Sequence, residues 1–191
     1  MKKVILIGDS IRMGYCNNTK QYLADTAEVM FPAENCCSTQ FMIWKSKTWS
    51  QMCPAEEVAA VQFNAGQWDT ACWLYDSEPI TSLGEYIKNL GILIRTYRKL
   101  YPNAKLIFAT TTPMNPVNPE TENPRTTETI AEYNAAAVKL MNENGIPVND
   151  LFAIANEWDG SKFIDYCHLT AEGYDILGKA TADFIRNVIA K

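Results

Sequence analysis

The start of the chain constrains the fold most. Four consecutive β-forming residues, Val4 to Ile7, run directly into the turn Gly8-Asp9-Ser10, and helix-like sequence follows over about residues 11–24. An unbroken apolar run of this kind is typical of a strand buried on both faces of a parallel sheet. In such sheets, ligands and catalytic groups collect at the carboxyl ends of the strands. Ser10 is therefore a candidate nucleophile, and the rest of the chain must supply a base, an orienting group and oxyanion donors.

Strand-like and helix-like segments alternate along the rest of the sequence. Right-handed crossovers between parallel strands place helices on both faces of the sheet. We therefore predict a three-layer α/β/α sandwich around a five-stranded parallel sheet of flavodoxin-like order 2-1-3-4-5, built as a single domain over residues 1–191. In that order strands one and three are neighbours, so Ser10 and Asn64 should lie side by side. After the first, the predicted strands are 27–31, 61–64, 105–109 and 146–151, and the predicted later helices are 83–101, 130–144 and 170–188.

Helix boundaries carry their own signals. Ser82 followed by Glu85 fits a capping box, and Gly145 fits the position just after a helix. In the helix after Ser82, apolar residues recur at alternating intervals of four and three and predict one buried stripe: Leu83, Ile87, Leu90, Ile94, Tyr97 and Tyr101. Along the last helix, which Thr170 should cap, we expect an inward-facing stripe formed by Tyr174, Leu177, Thr181, Phe184 and Val188.

Several segments lack a clean period. Residues 33–54 are predicted to be irregular, residues 54–60 to form a short helix, and residues 152–167 to be irregular again. Long irregular segments in a compact domain are usually functional or flexible, so we expect segments 33–53, 67–78 and 110–127 to close over Ser10. Their tryptophans either pack in the core or offer a platform for a sugar ring. These are Trp44, Trp49, Trp68 and Trp73.

Composition excludes several classes of protein. A net charge of −5, without a basic cluster, argues against a nucleic-acid partner. No window reaches the roughly 18–20 apolar residues of a membrane span, and the first apolar run is too short for a signal peptide. With one histidine, the chain offers few ligands for a zinc site. We expect a cytoplasmic protein without a metal, unless an upstream signal was removed, and reduced cysteines at positions 16, 36, 37, 53, 72 and 167.

His168, the only histidine, lies three residues after Asp165 and just before the last predicted helix. A serine nucleophile needs a base within hydrogen-bond reach, and a carboxylate that fixes the tautomer of that base improves it. An Asp and a His on one short turn can contact each other locally. The alternative is that both are ordinary surface-loop residues, and the presence of Gly8-Asp9-Ser10 favours the catalytic interpretation.

Three short motifs together resemble a known family. Gly8-Asp9-Ser10-Ile11, Asn64-Ala65-Gly66 and Asp165-x-x-His168 resemble blocks one, three and five of the SGNH hydrolases, also called the GDSL lipase/esterase family. The resemblance spans nearly the whole chain, in the right order and at suitable spacing. It implies that Ser10 is the nucleophile, His168 the general base and then the acid, and Asp165 the group that orients His168. No cofactor is implied.

The resemblance also implies an oxyanion hole, formed by the Ser10 backbone N–H, the Asn64 side-chain amide and a block-two glycine after the second strand. Here the corresponding loop, residues 34–40, contains no glycine. Any residue except proline has a backbone N–H, so the third donor would come from Cys37, Ser38 or Gln40, or would be lost. Loss of one donor typically costs roughly 10²–10³-fold in rate.

The expected function is hydrolysis of a small acyl ester, such as an acetyl group on a carbohydrate, because the chain lacks a long apolar stretch suited to a lipid tail. The alternatives are a lysophospholipase or acyl thioesterase of the same fold, and a catalytically weak binding module. Asp9 is expected to accept backbone hydrogen bonds at its turn. Arg12 would either be solvated or meet an anionic substrate. The sequence does not indicate an oligomeric state.

Overall fold

The computed structural model describes residues 1–190, which form one five-stranded sheet with helices on both sides. The strands are β1 Lys2–Ile7, β2 Ala27–Met30, β3 Val58–Phe63, β4 Lys105–Ala109 and β5 Val148–Asn149. The helices are α1 Ser10–Tyr22, α2 Thr39–Trp49, α3 Leu83–Leu100, α4 Thr127–Glu143, α5 Leu151–Asn156 and α6 Ala171–Ala190. Single 3₁₀ turns occur at Ser50–Met52, Ala55–Glu57 and Trp73–Tyr75.

The strand order is β2-β1-β3-β4-β5 and every pairing is parallel, which confirms the predicted sheet. Ile7 pairs with Phe63, so the turns that follow β1 and β3 begin at the same edge of the sheet. The backbone N–H of Asn64 extends this pairing by donating to the carbonyl of Ile7 at 3.0 Å. Strand order and register therefore bring Gly8-Asp9-Ser10 and Asn64 together.

The sheet separates two hydrophobic layers. In β1, Val4 and Leu6 face α1 and α6, whereas Ile5 and Ile7 face α2, α3 and α4. All four side chains are essentially inaccessible to solvent. This explains why the strand reads as a continuous apolar run, because each of its faces is covered by helices.

Helix α3 agrees with its predicted boundaries and stripe. Ser82 precedes it, and its hydroxyl accepts a hydrogen bond from the Glu85 N–H at 3.4 Å and donates to the Glu85 carboxylate at 3.0 Å. Leu90, Ile94 and Tyr97 are buried on the predicted face. Gly145 follows α4 with φ of 65°, a left-handed conformation that suits the residue after a helix.

Helix α6 also forms as expected, with the Thr170 hydroxyl accepting from the Gly173 N–H at 3.2 Å. Its buried face differs from the predicted stripe, because only Leu177 and Thr181 of the five predicted residues are fully buried. The buried face of α6 contains small residues such as Gly178 because α1 packs very closely against it. A Cβ on Gly178 would lie 2.5 Å from the Cβ of Asn18, so this approach requires glycine.

Four secondary-structure predictions are wrong, and one of them is the irregular segment predicted over residues 152–167, because helix α5 extends to Asn156. Residues 39–49 form helix α2 instead of irregular chain, because four consecutive apolar residues at 41–44 hide the helical period and Trp44 among them is 85% exposed. The helix predicted over 54–60 is only a 3₁₀ turn, since β3 already begins at Val58. The fifth strand is limited to two residues, because Asp150 caps helix α5 through the N–H of Ala153 at 3.1 Å.

No helix within residues 1–190 combines the length and apolarity needed to cross a membrane. All six cysteines have free thiols.

Candidate active site

The turn after β1 is closely packed around Gly8. A Cβ at this position would lie 1.9 Å from Oδ1 of Asn64, so only glycine permits the contact between the two strand ends. Asp9 caps helix α1 by accepting from the Ile11 N–H at 3.0 Å, as predicted. Ser10 is the first residue of α1, and its N–H has no acceptor within residues 1–190. That N–H therefore lies at the positive end of the helix, where unpaired donors are available to an anion.

The predicted nucleophile, base and orienting group form one hydrogen-bonded chain. Nε2 of His168 lies 2.8 Å from Oγ of Ser10, and Nδ1 of His168 lies 2.8 Å from Oδ2 of Asp165. Because a carboxylate only accepts hydrogen bonds, Nδ1 carries the proton and Nε2 is left with a lone pair directed at the serine hydroxyl.

Asp165 is itself fixed by the turn that it begins. Its Oδ1 accepts from the backbone N–H groups of Cys167 at 2.9 Å and His168 at 2.7 Å. Partial burial raises the pKa of Asp165, but these bonds and the contact with His168 outweigh burial and hold the pKa below its usual value. The carboxylate is therefore ionised at neutral pH.

Asn115, which the sequence analysis missed, also bonds to the turn at Asp165. Its side-chain amide donates to the carbonyl of Asp165 at 2.9 Å, and its backbone N–H donates to the carbonyl of Tyr166 at 2.8 Å. Asn115 lies in the proline-rich segment after β4, whose composition indicated only a loop. The contact spans 50 residues of sequence and leaves no local signal.

Asn64 lies beside the turn, as predicted, but its amide has another partner there. Its Nδ2 donates to Oδ2 of Asp9 at 3.3 Å, while its Oδ1 is buried without a hydrogen-bond donor among the described residues. A side-chain amide has two N–H hydrogens, so one remains available. Burial raises the pKa of Asp9, although the bonds from Ile11 and Asn64 and the charge of Arg12 oppose this.

The other predicted donors, Cys37, Ser38 and Gln40 in and after the loop that follows β2, do not line the cavity at Ser10. The N–H of Cys37 donates to Oδ1 of Asn35 at 2.9 Å, and Gln40 is exposed in the first turn of α2. Neither residue borders the cavity at Ser10, whereas Asn35 does. Cys37 has φ of 49°, the left-handed region that glycine adopts most readily. Cys37 therefore has a backbone conformation typical of glycine, although this loop lacks the glycine that the family resemblance implies.

Asp69 is a buried carboxylate that the sequence analysis did not identify. It accepts from the N–H of Thr39 at 3.1 Å and from its hydroxyl at 2.6 Å, while Asn89 donates to the same hydroxyl at 3.0 Å. Burial raises the pKa of Asp69 to about 6, although the bonds from Thr39 lower it. Asp69 thus connects the chain after β3 to the start of α2, next to the loop that carries Cys37.

Arg12 has neither of its expected roles, because it is buried and donates only to the protein. Its guanidinium contacts the carbonyls of Gly8 at 3.0 Å, Pro32 at 2.9 Å and Glu34 at 2.7 Å. A guanidinium has five N–H donors, and most are used here. Arg12 therefore joins the turn before α1 to the loop after β2.

A cavity of about 170 Å³ opens beside Ser10 and His168. Its far wall comes from two of the segments expected to close over the serine. The N–H of Cys72 donates to the carbonyl of Pro124 at 2.9 Å, and the N–H of Leu74 donates to Asn123 at 3.0 Å. The remaining lining residues are Asn35, Gln67, Trp68, Ala71, Trp73, Arg125, Tyr166 and Cys167.

Only one of the four tryptophans in the segments expected to close over Ser10 has the expected place in the core. Trp49 is buried in the core, and Trp44 points into solvent. Trp68 and Trp73 stack on each other in the cavity wall, with ring centroids 6.2 Å apart and planes 24° from parallel.

One group of side chains has the spacing of metal ligands. Donor atoms of Asp165, Cys167 and His168 lie within 4.8 Å of one another. Asp165 and His168 already bond to each other, and burial raises the pKa of Cys167 to about 12. A thiol must lose its proton to bind a metal, so this group is poorly suited to that role.

Solved structures with the same fold include several ester hydrolases. An acetyl xylan esterase has a TM-score of 0.75 and 18% identity, with 96% of this chain and 99% of that chain covered. A carbohydrate acetylesterase from Sinorhizobium meliloti has a TM-score of 0.75 and 16% identity, with 98% and 99% covered. A lipase/acylhydrolase from Enterococcus faecalis has a TM-score of 0.75 and 19% identity, with 98% and 96% covered.

Sequence comparison gives the family. No curated protein has a significantly similar sequence. Residues 52–176, well over half of the chain, match the profile of the GDSL-like lipase/acylhydrolase family. The chain therefore belongs to the GDSL-like lipase/acylhydrolase family.

Proposed function

We propose that this chain is a serine esterase that hydrolyses a small acyl ester, with an acetyl group on a carbohydrate as the preferred substrate. The observation that carries the proposal is the hydrogen-bonded chain from Ser10 through His168 to Asp165, with 2.8 Å at both contacts. This is the arrangement that activates a serine hydroxyl, which is otherwise a weak nucleophile at neutral pH.

In the first half of the reaction, Oγ of Ser10 attacks the ester carbonyl carbon while Nε2 of His168 takes the hydroxyl proton. Asp165 stabilises the resulting imidazolium through Nδ1. The tetrahedral intermediate then collapses. The bond to the alcohol oxygen breaks, Nε2 returns its proton to that oxygen, and the acyl group remains on Ser10.

In the second half, His168 takes a proton from a water molecule as the water attacks the acyl carbon. Collapse of the second intermediate breaks the bond to Oγ of Ser10, and Nε2 returns the proton to that oxygen. A carboxylic acid leaves and the enzyme is restored. No cofactor is required by any of these steps.

The negative oxygen of each intermediate needs donors directed at it. The Ser10 N–H is unpaired at the start of α1, and Asn64 retains one amide hydrogen beyond its bond to Asp9. Cys37 is the third proposed donor, which requires its N–H to leave Asn35 when substrate binds. Gln40, by its exposed position, is a weaker candidate than Cys37.

The cavity favours a small acyl group. Its volume of about 170 Å³ lies below the roughly 300–1,000 Å³ of most sites for drug-sized ligands. The stacked pair Trp68 and Trp73 offers a flat apolar wall suited to a sugar ring. Two proteins of the same fold are an acetyl xylan esterase and a carbohydrate acetylesterase, which supports the choice of a carbohydrate ester.

One feature favours a lysophospholipase or acyl thioesterase as the second candidate. Leu74 and Tyr75, next to the cavity, have positive φ values of 50° and 64°, and both side chains are mostly exposed. Strained backbone that presents apolar side chains at a site mouth suits contact with a longer acyl chain. A series of esters and thioesters of increasing chain length separates the candidates, because a rate that rises with length favours the second.

The central experiment compares turnover of 4-nitrophenyl acetate by the wild type, Ser10→Ala and Ser161→Ala, an exposed control. We expect Ser10→Ala to lose at least ~10³-fold in kcat/KM and the control to keep the wild-type rate. Labelling by a fluorophosphonate probe should be lost only in Ser10→Ala. Equal rates in all three proteins would reject Ser10 as the nucleophile, and a well-folded wild type that neither reacts nor labels would identify a binding module.

A further inference from the structure

We propose that the substrate carries a carboxylate on its alcohol side, close to the ester bond, and that Arg125 binds this carboxylate. The inference rests on the proposed esterase function and narrows its substrate class to esters of acidic sugars, such as uronic acids.

Arg125 borders the same small cavity as Ser10 and His168. Within residues 1–190 its guanidinium forms no ion pair, and its Nε is buried without a hydrogen-bond acceptor. A ligand cannot reach the buried Nε, but Nη1 and Nη2 of Arg125 are neither buried nor bonded to a carboxylate or carbonyl among the described residues. These two nitrogens are the donors that Arg125 offers to an acceptor in the cavity.

Arg12 provides an internal contrast. Both arginines lie near the candidate active site, but Arg12 donates to three backbone carbonyls and so serves the fold. Arg125 has no comparable set of acceptors, although both side chains present the same chemistry. Apart from its contact with the thiol of Cys167, which is a weak acceptor, Arg125 keeps its terminal donors available to a ligand.

Arg125 also contacts an aromatic ring beside His168. Its guanidinium lies over the ring of Tyr166, 5.3 Å from the centroid, and the Tyr166 ring meets the His168 ring edge to face at 5.7 Å. A cation over an aromatic face is attracted to it, and the planar fork of a guanidinium matches a carboxylate through two parallel hydrogen bonds. A carboxylate bound there would lie close to the residue that protonates the leaving alcohol.

The rest of the cavity fits a sugar that carries this charge. Trp68 and Trp73 form the apolar wall, and Asn123 adds a polar group beside Arg125. The chain as a whole has a net charge of −5, which repels anions at long range. An unpaired cation in the cavity is therefore the local attraction that an acidic substrate needs.

The test uses a matched pair of substrates: an O-acetylated methyl glucuronoside and the same ester of the neutral methyl glucoside. A charge-assisted hydrogen bond contributes about 1.5–3 kcal/mol, so the wild type should prefer the acidic ester by roughly 10- to 100-fold in kcat/KM. In Arg125→Gln the preference should disappear, in Arg125→Lys it should be reduced, and in the exposed control Arg95→Gln it should persist. Thermal melting of each variant verifies that it is folded.

A binding measurement separates this inference from the proposed function. In Ser10→Ala, which should not turn over substrate, the acidic ester should bind at least tenfold more tightly than the neutral one, and Arg125→Gln should remove that difference. Ser10-dependent hydrolysis with no Arg125-dependent preference would overturn the inference alone. Hydrolysis that survives Ser10→Ala would overturn the proposed function instead. A further ester, 4-nitrophenyl hemisuccinate, carries its carboxylate on the acyl group. If Arg125 increases kcat/KM for this ester only, relative to 4-nitrophenyl acetate, the carboxylate belongs on the acyl side and its assignment to the alcohol is wrong.

Discussion

The groups on the two sides of Ser10 differ in whether they already have the hydrogen bonds that the proposed reaction needs. On one side, His168 and Asp165 complete a chain of short hydrogen bonds that ends at the serine hydroxyl. On the other side, two of the three proposed oxyanion donors bond to the protein: Asn64 to Asp9 and Cys37 to Asn35. The proposed acid–base side is therefore organised before substrate arrives. On the proposed oxyanion side, Asn64 shares its amide with Asp9, and the N–H of Cys37 must leave Asn35 to reach the substrate oxygen.

Chain topology explains this difference. Asp165 and His168 lie on one short turn, which Asp165 stabilises through the N–H groups of its own neighbours. The proposed oxyanion donors come from three separated segments: the start of α1, the end of β3 and the loop after β2. Their alignment depends on tertiary contacts, so local bonds such as that from Cys37 to Asn35 compete with it.

The largest effect is expected from breaking the organised side. Asp165→Asn should lower kcat/KM by about 10³–10⁴-fold, because an amide does not hold Nδ1 of His168 in its protonated tautomer. The remaining amide oxygen can still accept the N–H bonds from Cys167 and His168, so the fold should be kept. Steady-state kinetics with 4-nitrophenyl acetate, alongside thermal melting, measure this. A loss of less than tenfold in a folded variant would contradict the assigned role.

The oxyanion side should respond less strongly. Asn64→Ala should lower kcat by roughly 10²–10³-fold with little change in KM, as for a donor that acts mainly in the transition state. Asn35→Ala is the matched control, because it frees the N–H of Cys37 and should preserve or raise kcat. If Asn64→Ala changes KM and leaves kcat intact, Asn64 contributes to ground-state binding only.

Asp69 bonds to the start of helix α2, next to the loop that carries Cys37, and should make the free energy of unfolding depend on pH. Burial raises the pKa of Asp69 from 3.8 to about 6, so the folded state binds this proton more tightly than the unfolded state. The resulting stabilisation is complete below pH 3.8 and is lost as pH rises through about 6. Between pH 5 and 7.5 the wild type should lose about 1 kcal/mol more unfolding free energy than Asp69→Asn.

Urea denaturation at several pH values measures this difference, with the exposed Asp76→Asn as the control. Asp9 shifts in the same direction through burial and is common to all three proteins. Asp165 has the opposite shift, so its stabilisation is lost only as pH falls below its usual range. Parallel stability curves for the wild type and Asp69→Asn would show that Asp69 titrates normally.

The sequence predicted most of the fold because its strongest signals are local. The apolar run at Val4 to Ile7 follows from burial of both faces of β1, and the regular stripe of α3 follows from burial of one face of that helix. The strand order and the family are confirmed. Helix α2 was missed because its apolar residues are consecutive, and the fifth strand was overextended because Asp150 begins a helix that no pattern indicated.

The candidate site was predictable only where its residues carry a motif. Ser10, Asp165 and His168 are in contact in the structure, while their catalytic roles remain predictions. Asn115 and Arg125 were missed because they act through contacts with residues far along the chain, in a segment that resembles an ordinary loop. Arg12 was identified as a cation near the serine, but burial among carbonyls gives it a structural role instead.

The smallest expected effect concerns Cys37, which lies in the glycine-free loop where this chain departs from the family pattern. Its left-handed backbone costs about 1–2 kcal/mol for a residue with a side chain, whereas glycine avoids that cost but loses roughly 0.5–1 kcal/mol through greater freedom when unfolded. Cys37→Gly should therefore change stability by only about 1 kcal/mol. Because only the backbone N–H is proposed to act, kcat/KM should stay within about threefold of the wild type.

Cys37→Ala is the control, since it removes the thiol and keeps the strain. Both variants should react with the short ester at nearly the wild-type rate, which would place the oxyanion function in the backbone of this loop. If both instead lose more than tenfold in kcat/KM while remaining folded, the thiol itself contributes. The loop would then differ from a glycine loop in chemistry as well as in sequence.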